Sequence, residues 1–304
     1  MEKIFLGEID DVATQHWEGS LPKFWVELNG QKYLFKSNLT LPYRVECPTD
    51  MGEVLYSVLG ERLGLSCVES NFASYKKNGK EVNGVLIKSY YNNDYEFSVN
   101  YGDMVTEINR SYSHELSGNV ETALEVVGKY SKRHNYSIKM RKTSMQLKKQ
   151  SILDFFLHQE DRSICNVGFI ANNNTLRLAP VFDNGFCLSF AKENQFNQLF
   201  ISLHKRGLGY SNLLSNYHFP LKPIPSLEYE QENIRQIHEA TQESRALNRY
   251  VEKILDINIK RELENLESVR QKPLKKSYKR VADALFERRK DLFLKEIDGP
   301  GYEI

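Results

Sequence analysis

The chain has 304 residues, of which 41 are Lys or Arg and 40 are Asp or Glu, so its formal net charge is +1. That length buries a sizeable core in one large or one two-lobed domain, and the balanced charge argues against a global electrostatic pull toward nucleic acid or an anionic membrane. Its four cysteines form no C-x-x-C pair, which speaks against a zinc site and a disulfide scaffold.

The amino terminus, MEKIFLGEIDD, meets acids before any apolar run of signal-peptide length, and no later stretch approaches the roughly 20 apolar residues of a membrane span. A cytoplasmic location without a membrane partner is expected, with export lacking a cleaved signal left open. Next, HWEGSLPK (16–23) carries Gly19 and Ser20 just before the first strand and is the candidate phosphate-covering loop. It holds one glycine where a G-x-G-x-x-G loop has three, so an ordinary surface loop is the alternative. KFWVELNGQKYLFK (23–36) predicts a β-hairpin turning at Asn29-Gly30.

From Asp50 to Leu65, Met51, Val54, Leu55, Val58, Leu59 and Leu63 recur at helical spacing, with Gly64 as the stop. Two strands follow at 66–76 and 82–90 around Asn78-Gly79, which together with the hairpin predict a small antiparallel sheet carrying one helix. Beyond residue 103 the pattern turns helical, over 118–135, 143–158 and 226–297, interrupted by a short hairpin at 167–179 with Asn173-Asn174 at its tip. The expected fold class is α+β, with a mostly β amino-terminal part at 1–92 and a mostly α part at 93–304. The two meet near Lys88 to Asn93, and Lys88 is taken as a cofactor-binding candidate at that crossing.

The chemistry concentrates in Asp161-Arg-Ser-Ile-Cys-Asn166 and, further on, in Ala-Pro-Val-Phe-Asp183-Asn-Gly. Phosphoryl transfer needs one carboxylate to orient the attacking hydroxyl and an Asp with an Asn to hold magnesium on the phosphates. The D-x-x-x-x-N spacing is that of a protein-kinase catalytic loop, and Phe-Asp-x-Gly after an intervening hairpin stands where a kinase carries its metal-binding element. Asp161 is therefore the candidate base, and Asn166 and Asp183 are the candidate Mg2+ ligands. Each Asp read alone is equally a turn or cap residue.

Lys36 ends the second hairpin strand, where a kinase puts the lysine that reaches the ATP phosphates; the competing reading is a solvated lysine protecting a sheet edge. Glu53 has two readings as well. It would pair with Lys36, or it would close a capping box with Asp50 as N-cap. The basic run at 129–149 is read as a solvated helix face, and direct binding of nucleic acid is not supported. No histidine spacing supports a metal site.

The block DRSICNVGFIANNNTLRLAPVFDNGFCL resembles the signature of HipA-like kinases, in which Asp-Arg-His-x-x-Asn precedes a Gly-Phe strand pair and Ala-Pro-hydrophobic-aromatic-Asp. The resemblance is sharp over 153–190. It implies a two-lobed protein-kinase-like fold, ATP and Mg2+ as cofactors, a protein Ser or Thr hydroxyl as substrate, and autophosphorylation in the phosphate loop, with Ser20 as the candidate position. Ser163 stands where the family has His, which bears on how the catalytic loop is braced. Longer members act as toxins beside a DNA-binding antitoxin. This chain is read as lacking their extra amino-terminal subdomain, so an antitoxin or other regulatory partner stays an open expectation. Two alternatives also stay open: a small-molecule kinase of the aminoglycoside-phosphotransferase type, and a catalytically silent nucleotide-binding regulator.

Overall fold

The structure is a computed structural model and describes residues 2–9, 23–41, 45–91, 95–108, 120–159, 162, 164–189 and 227–297. Its first part comprises β1 (Ile4–Glu8), β2 (Lys23–Leu28), β3 (Gln31–Ser37), a short β4 (Leu39–Leu41) and β5 (Val45–Cys47), α1 (Thr49–Arg62), β6 (Ser70–Lys77) and β7 (Lys80–Lys88). The Asn29-Gly30 and Asn78-Gly79 turns both close with positive φ, 52° and 73° in the first and 51° and 70° in the second, as type I′ geometry requires. Five strands make one sheet in the order β1-β6-β7-β3-β2. The expectation of a purely antiparallel sheet needs correction, because β1 pairs parallel with β6 along the edge. Five residues interrupted by Gly7 (φ 87°) give too short an alternation to be read as a strand.

The second part begins with β8 (Phe97–Asn100), α2 (Tyr101–Ile108), α3 (Val120–Arg133) and α4 (Met140–Phe156). A 3-10 turn at Ile164–Asn166, then β9 (Gly168–Asn172) and β10 (Thr175–Leu178), carry the chain through the chemistry-bearing stretch. After a second 3-10 turn, Cys187–Ser189, come α5 (Leu227–Glu243), α6 (Arg245–Leu255), α7 (Ile259–Arg270) and α8 (Lys276–Ile297). The predicted hairpin at 167–179 is β9–β10, and β8 extends it to three strands. A small sheet-rich part and a larger helical part thus meet the expected α+β, two-lobed arrangement.

The helix α1 is the element both parts share. Met51, Val54, Leu55, Tyr56 and Leu59 are fully buried, and one continuous core joins them to Phe72 and Val85 of the sheet and to Phe156, Ile254, Leu263 and Phe286 of the helices behind. Buried on nearly every side from Thr49 to Gly60, this helix has no solvated stripe. Its start differs from the capping-box reading. Asp50 lies inside the helix, and the side chain of Asn38 supplies the cap, Oδ1 accepting from the Asp50 amide at 2.8 Å.

Freed from capping, Asp50 forms a buried ion pair in which Arg270 Nε of α7 donates to its Oδ2 at 2.8 Å, the two side chains being 2 % and 4 % exposed. Burial pushes the Asp50 carboxyl above its ordinary value, while Arg270, Asn38 and the Met51 amide pull it down. Replacing Arg270 by Ala strands a desolvated carboxylate, so Arg270→Ala is expected to lose about 3–5 kcal/mol in urea unfolding at neutral pH. Without Arg270 the carboxyl loses its largest downward pull. The penalty of a raised native pKa is complete above that raised value, relents as pH falls through it and is gone below the ordinary carboxylate value. The deficit should therefore shrink at mildly acidic pH.

Candidate functional site

Lys36 is the next-to-last residue of β3, and its side chain leaves the sheet on the α1 side into an environment where it is only 6 % exposed. A buried ammonium needs counter-charge, and it has two. Lys36 Nζ donates to Glu53 Oε1 at 2.7 Å and also to Asp183 Oδ1. Burial works to lower the Lys36 pKa, but the Glu53 and Asp183 carboxylates outweigh it and hold it above the ordinary lysine value. Burial likewise pushes Asp183 up, and Lys36, with smaller help from Lys23 and Arg162, brings it below the ordinary carboxylate value. The pair is charged across the whole span between those two limits.

The backbone carrying Asp183 is held against α1 by a close approach. A Cβ at Gly52 would stand 2.8 Å from Gly185 O and 3.1 Å from Asn184 O, so only a glycine lets the helix and this segment touch. The contact aims the second oxygen of Glu53 at the Asn184 amide, which donates to Oε2 at 2.7 Å. Val181 bridges Cys67 in parallel fashion, exchanging bonds with Ser66 O and the Val68 amide. Gln159 Nε2 donates to Asp183 O at 2.9 Å. Asp183 itself takes φ 57°, a left-handed conformation uncommon for residues other than glycine and held here by the bonds that Phe182 O and the Asn184 amide make on either side of it.

Arg162 is the second hub. Its guanidinium grips the Asp154 carboxylate of α4 (Nε to Oδ2 2.9 Å, Nη2 to Oδ1 3.1 Å). It also donates to Asn184 Oδ1 at 2.6 Å, to Phe182 O at 2.7 Å and to Asn166 O at 3.3 Å. Burial opposes its charge, yet Asp154 and its other partners hold the Arg162 pKa above the ordinary value. Tyr56 of α1 completes the cluster, donating to Asp154 Oδ1 at 2.7 Å with its ring 5.6 Å from the guanidinium carbon.

Of the sequence-selected residues, Lys36, Glu53 and Asp183 come together directly, and Asn166 joins them through Arg162. Glu53 is fully buried and bonded to Lys36 and Asn184, so its capping-box alternative gives way to the ion pair. Lys88 stands apart, its Nζ pairing with Glu69 Oε2 at 3.2 Å on an exposed surface. Asp161, Ser163, Gly19 and Ser20 lie outside the described residues. Four further residues were not singled out in the sequence: Lys23, directly across the strand pair from Lys36, and Arg162, Asp154 and Asn184. Adjacency to Asp161 and Asp183 was the one available signal for Arg162 and Asn184; for Asp154 and Lys23 there was none.

Among the described residues no group of three or more His, Cys, Asp or Glu is arranged to hold a metal unaided. Magnesium characteristically takes one or two protein oxygens and completes its shell with phosphates and water. The donor set of Asp183, with a side chain 29 % exposed, and Asn166 fits that mode. Cys187 is buried, its thiol pushed up by burial, and contacts Gly52 O, which is the setting of a packing residue. No helix among the described residues is long and apolar enough to cross a membrane.

No family model matches the chain, and no curated protein matches it. Among solved structures, it is similar to the Helicobacter pylori proinflammatory kinase CtkA, with 16 % sequence identity, a TM-score of 0.60, and coverage of 91 % of this chain and 94 % of that one. It also aligns with a chain of the Shewanella oneidensis MR-1 toxin–antitoxin complex of HipA, HipB and operator DNA, at 10 % identity and a TM-score of 0.46, covering 97 % of this chain and 69 % of that one. The likeness to CtkA shows the fold: this chain has the architecture of that kinase over nearly the whole of both.

Lys36→Met removes the cation between two acids and should cost about 3–5 kcal/mol in chemical unfolding at neutral pH. For Asp183, a native pKa below the unfolded value means a stabilising contribution present above the ordinary carboxylate range and lost as pH falls through the native value. The stability difference between wild type and Asp183→Asn should accordingly vanish on acidification below that range, as followed by unfolding at stepped pH. Gly52→Ala gains helix propensity of about 1 kcal/mol but drives a methyl into Gly185. A net loss of thermal stability should result.

Proposed function

We propose that the chain is an ATP- and Mg2+-dependent phosphotransferase acting on a Ser or Thr hydroxyl of a protein, with itself among its substrates. The observation that carries this reading is the buried ammonium of Lys36 held between Glu53 on α1 and Asp183 on the loop after β10. That arrangement joins a strand lysine, a helix glutamate and a metal-type aspartate, as phosphoryl transfer requires. In this reading residues 1–92 cover ATP and residues 93–304 carry the catalytic loop and the substrate side.

Lys36 binds the α- and β-phosphates, with Glu53 keeping its ammonium turned toward them. Lys23 adds positive charge from the neighbouring strand; it has no ion-pair partner among the described residues. Asp183 and Asn166 would hold Mg2+, which would neutralise charge on the phosphates. Asp161 orients the attacking hydroxyl and accepts its proton as the new O–P bond forms and the bond from the γ-phosphorus to the bridging oxygen breaks, leaving ADP. Catalysis by this set rests on positioning and charge rather than on a covalent enzyme intermediate. Gly19 and Ser20 cover the phosphates, and Ser20 is the proposed autophosphorylation position. The fold likeness to CtkA supports the reading, as do the D-R-x-x-x-N and F-D-x-G elements. A cytoplasmic location and a regulatory protein partner of antitoxin type belong to the same proposal.

Incubation of the purified chain with labelled ATP and Mg2+ should place phosphate on the chain, with Ser20 examined first by mass spectrometry. Chelation should abolish the signal, and Asp161→Ala and Asp183→Ala should reduce it by about 10²-fold or more. Label found only on an added amino-sugar would overturn the protein-substrate assignment. Thermal stabilisation by ATP and Mg2+ with no transfer at all would overturn the enzymatic one.

A further inference from the structure

We infer that Arg162 is the positioning residue that fixes the distance between the two proposed metal ligands, Asn166 and Asp183. The inference rests on the phosphotransferase reading above and deepens it. A guanidinium carries five N–H donors in a rigid planar fork, and here each has an acceptor: both oxygens of Asp154, Asn184 Oδ1, Phe182 O and Asn166 O. Three of those acceptors decide the matter. One is the backbone carbonyl of Asn166; the other two belong to the residues immediately before and after Asp183. A single planar group therefore spans the turn carrying one ligand and brackets the other on both sides, without occupying the oxygen that either would offer a metal.

The strap is itself anchored at its far end. Asp154 takes the bidentate grip that orients the fork, and Tyr56 holds the same carboxylate with its hydroxyl while its ring lies against the guanidinium. Glu53, one helical turn before Tyr56 on α1, binds the Asn184 amide. The bonds form a ring from Glu53 to Asn184, Arg162, Asp154 and Tyr56 and back along the helix. A ring of this kind resists changes in the Asn166–Asp183 separation more than any one of its bonds would. Lys cannot replace Arg in it, because three donors on one tetrahedral nitrogen do not reach five acceptors lying around a plane.

The test measures binding rather than turnover. Affinity for a non-hydrolysable ATP analogue is determined by calorimetry in EDTA and again in excess Mg2+, for wild type, Arg162→Lys and Tyr56→Phe, alongside thermal unfolding. Metal-free affinity, which depends on Lys36, should be unchanged in both variants. The gain in affinity on adding Mg2+ should fall by on the order of 10–100-fold in Arg162→Lys, as for loss of a group that orients metal ligands, and by less in Tyr56→Phe, which keeps the ring and the charges. Should Arg162→Lys fail to fold, the same directional loss in Tyr56→Phe decides the question. A wild-type Mg2+ gain in the folded variants overturns the inference, as does an equal loss with and without metal, because a merely structural residue would act that way. Failure of the wild-type chain to bind the analogue overturns the phosphotransferase reading and this inference with it.

Discussion

One buried ammonium organises this molecule. Lys36 cannot sit in a dry interior without counter-charge, and the two carboxylates that supply it come from elements far apart in sequence, α1 and the loop after β10. Satisfying one cation therefore fixes three segments relative to one another. The triad is formally −1, so a triphosphate brought to it would meet repulsion from Asp183 as well as attraction to Lys36. A divalent cation held at Asp183 would remove that conflict, and the proposed use of Mg2+ follows from the charge count as much as from the motif.

The convergence depends on how closely backbones approach. Gly52 brings α1 into contact with Asn184–Gly185, and that contact lets Glu53 reach both the Lys36 ammonium and the Asn184 amide. Behind it, the same helix is embedded in the largest core, among side chains from the sheet and from the carboxy-terminal helices. Packing on one face of α1 and polar contacts on the other thus serve a single placement.

Much of this was legible in the sequence, and the parts that were not share a physical cause. Asn29-Gly30, Asn78-Gly79 and Gly64 announce positive φ locally, so the two turns of the sheet and the end of α1 fall where these residues put them. The strand β1 and the helix α2 are too short to show a period. Glu53 illustrates the limit well: capping and ion pairing make the same local demand for an acid in the first helical turns. Only Asn38, reaching in from between β3 and β4, takes the capping task away. Asp50 and Arg270 lie 220 residues apart, and no spacing rule connects them. Arg162 stood beside a conspicuous Asp, but its worth lies in carbonyl acceptors that every residue possesses and that only folding brings within reach.

The immersion of α1 has a mechanical consequence. Enzymes that carry an essential glutamate on a peripheral helix can be turned off by rotating that helix outward. Here the equivalent motion would drag Met51, Leu55 and Leu59 out of a core shared with α4 and the carboxy-terminal helices and break the Asp50–Arg270 pair. Separating Glu53 from Lys36 by that route would therefore cost core packing and a buried ion pair together.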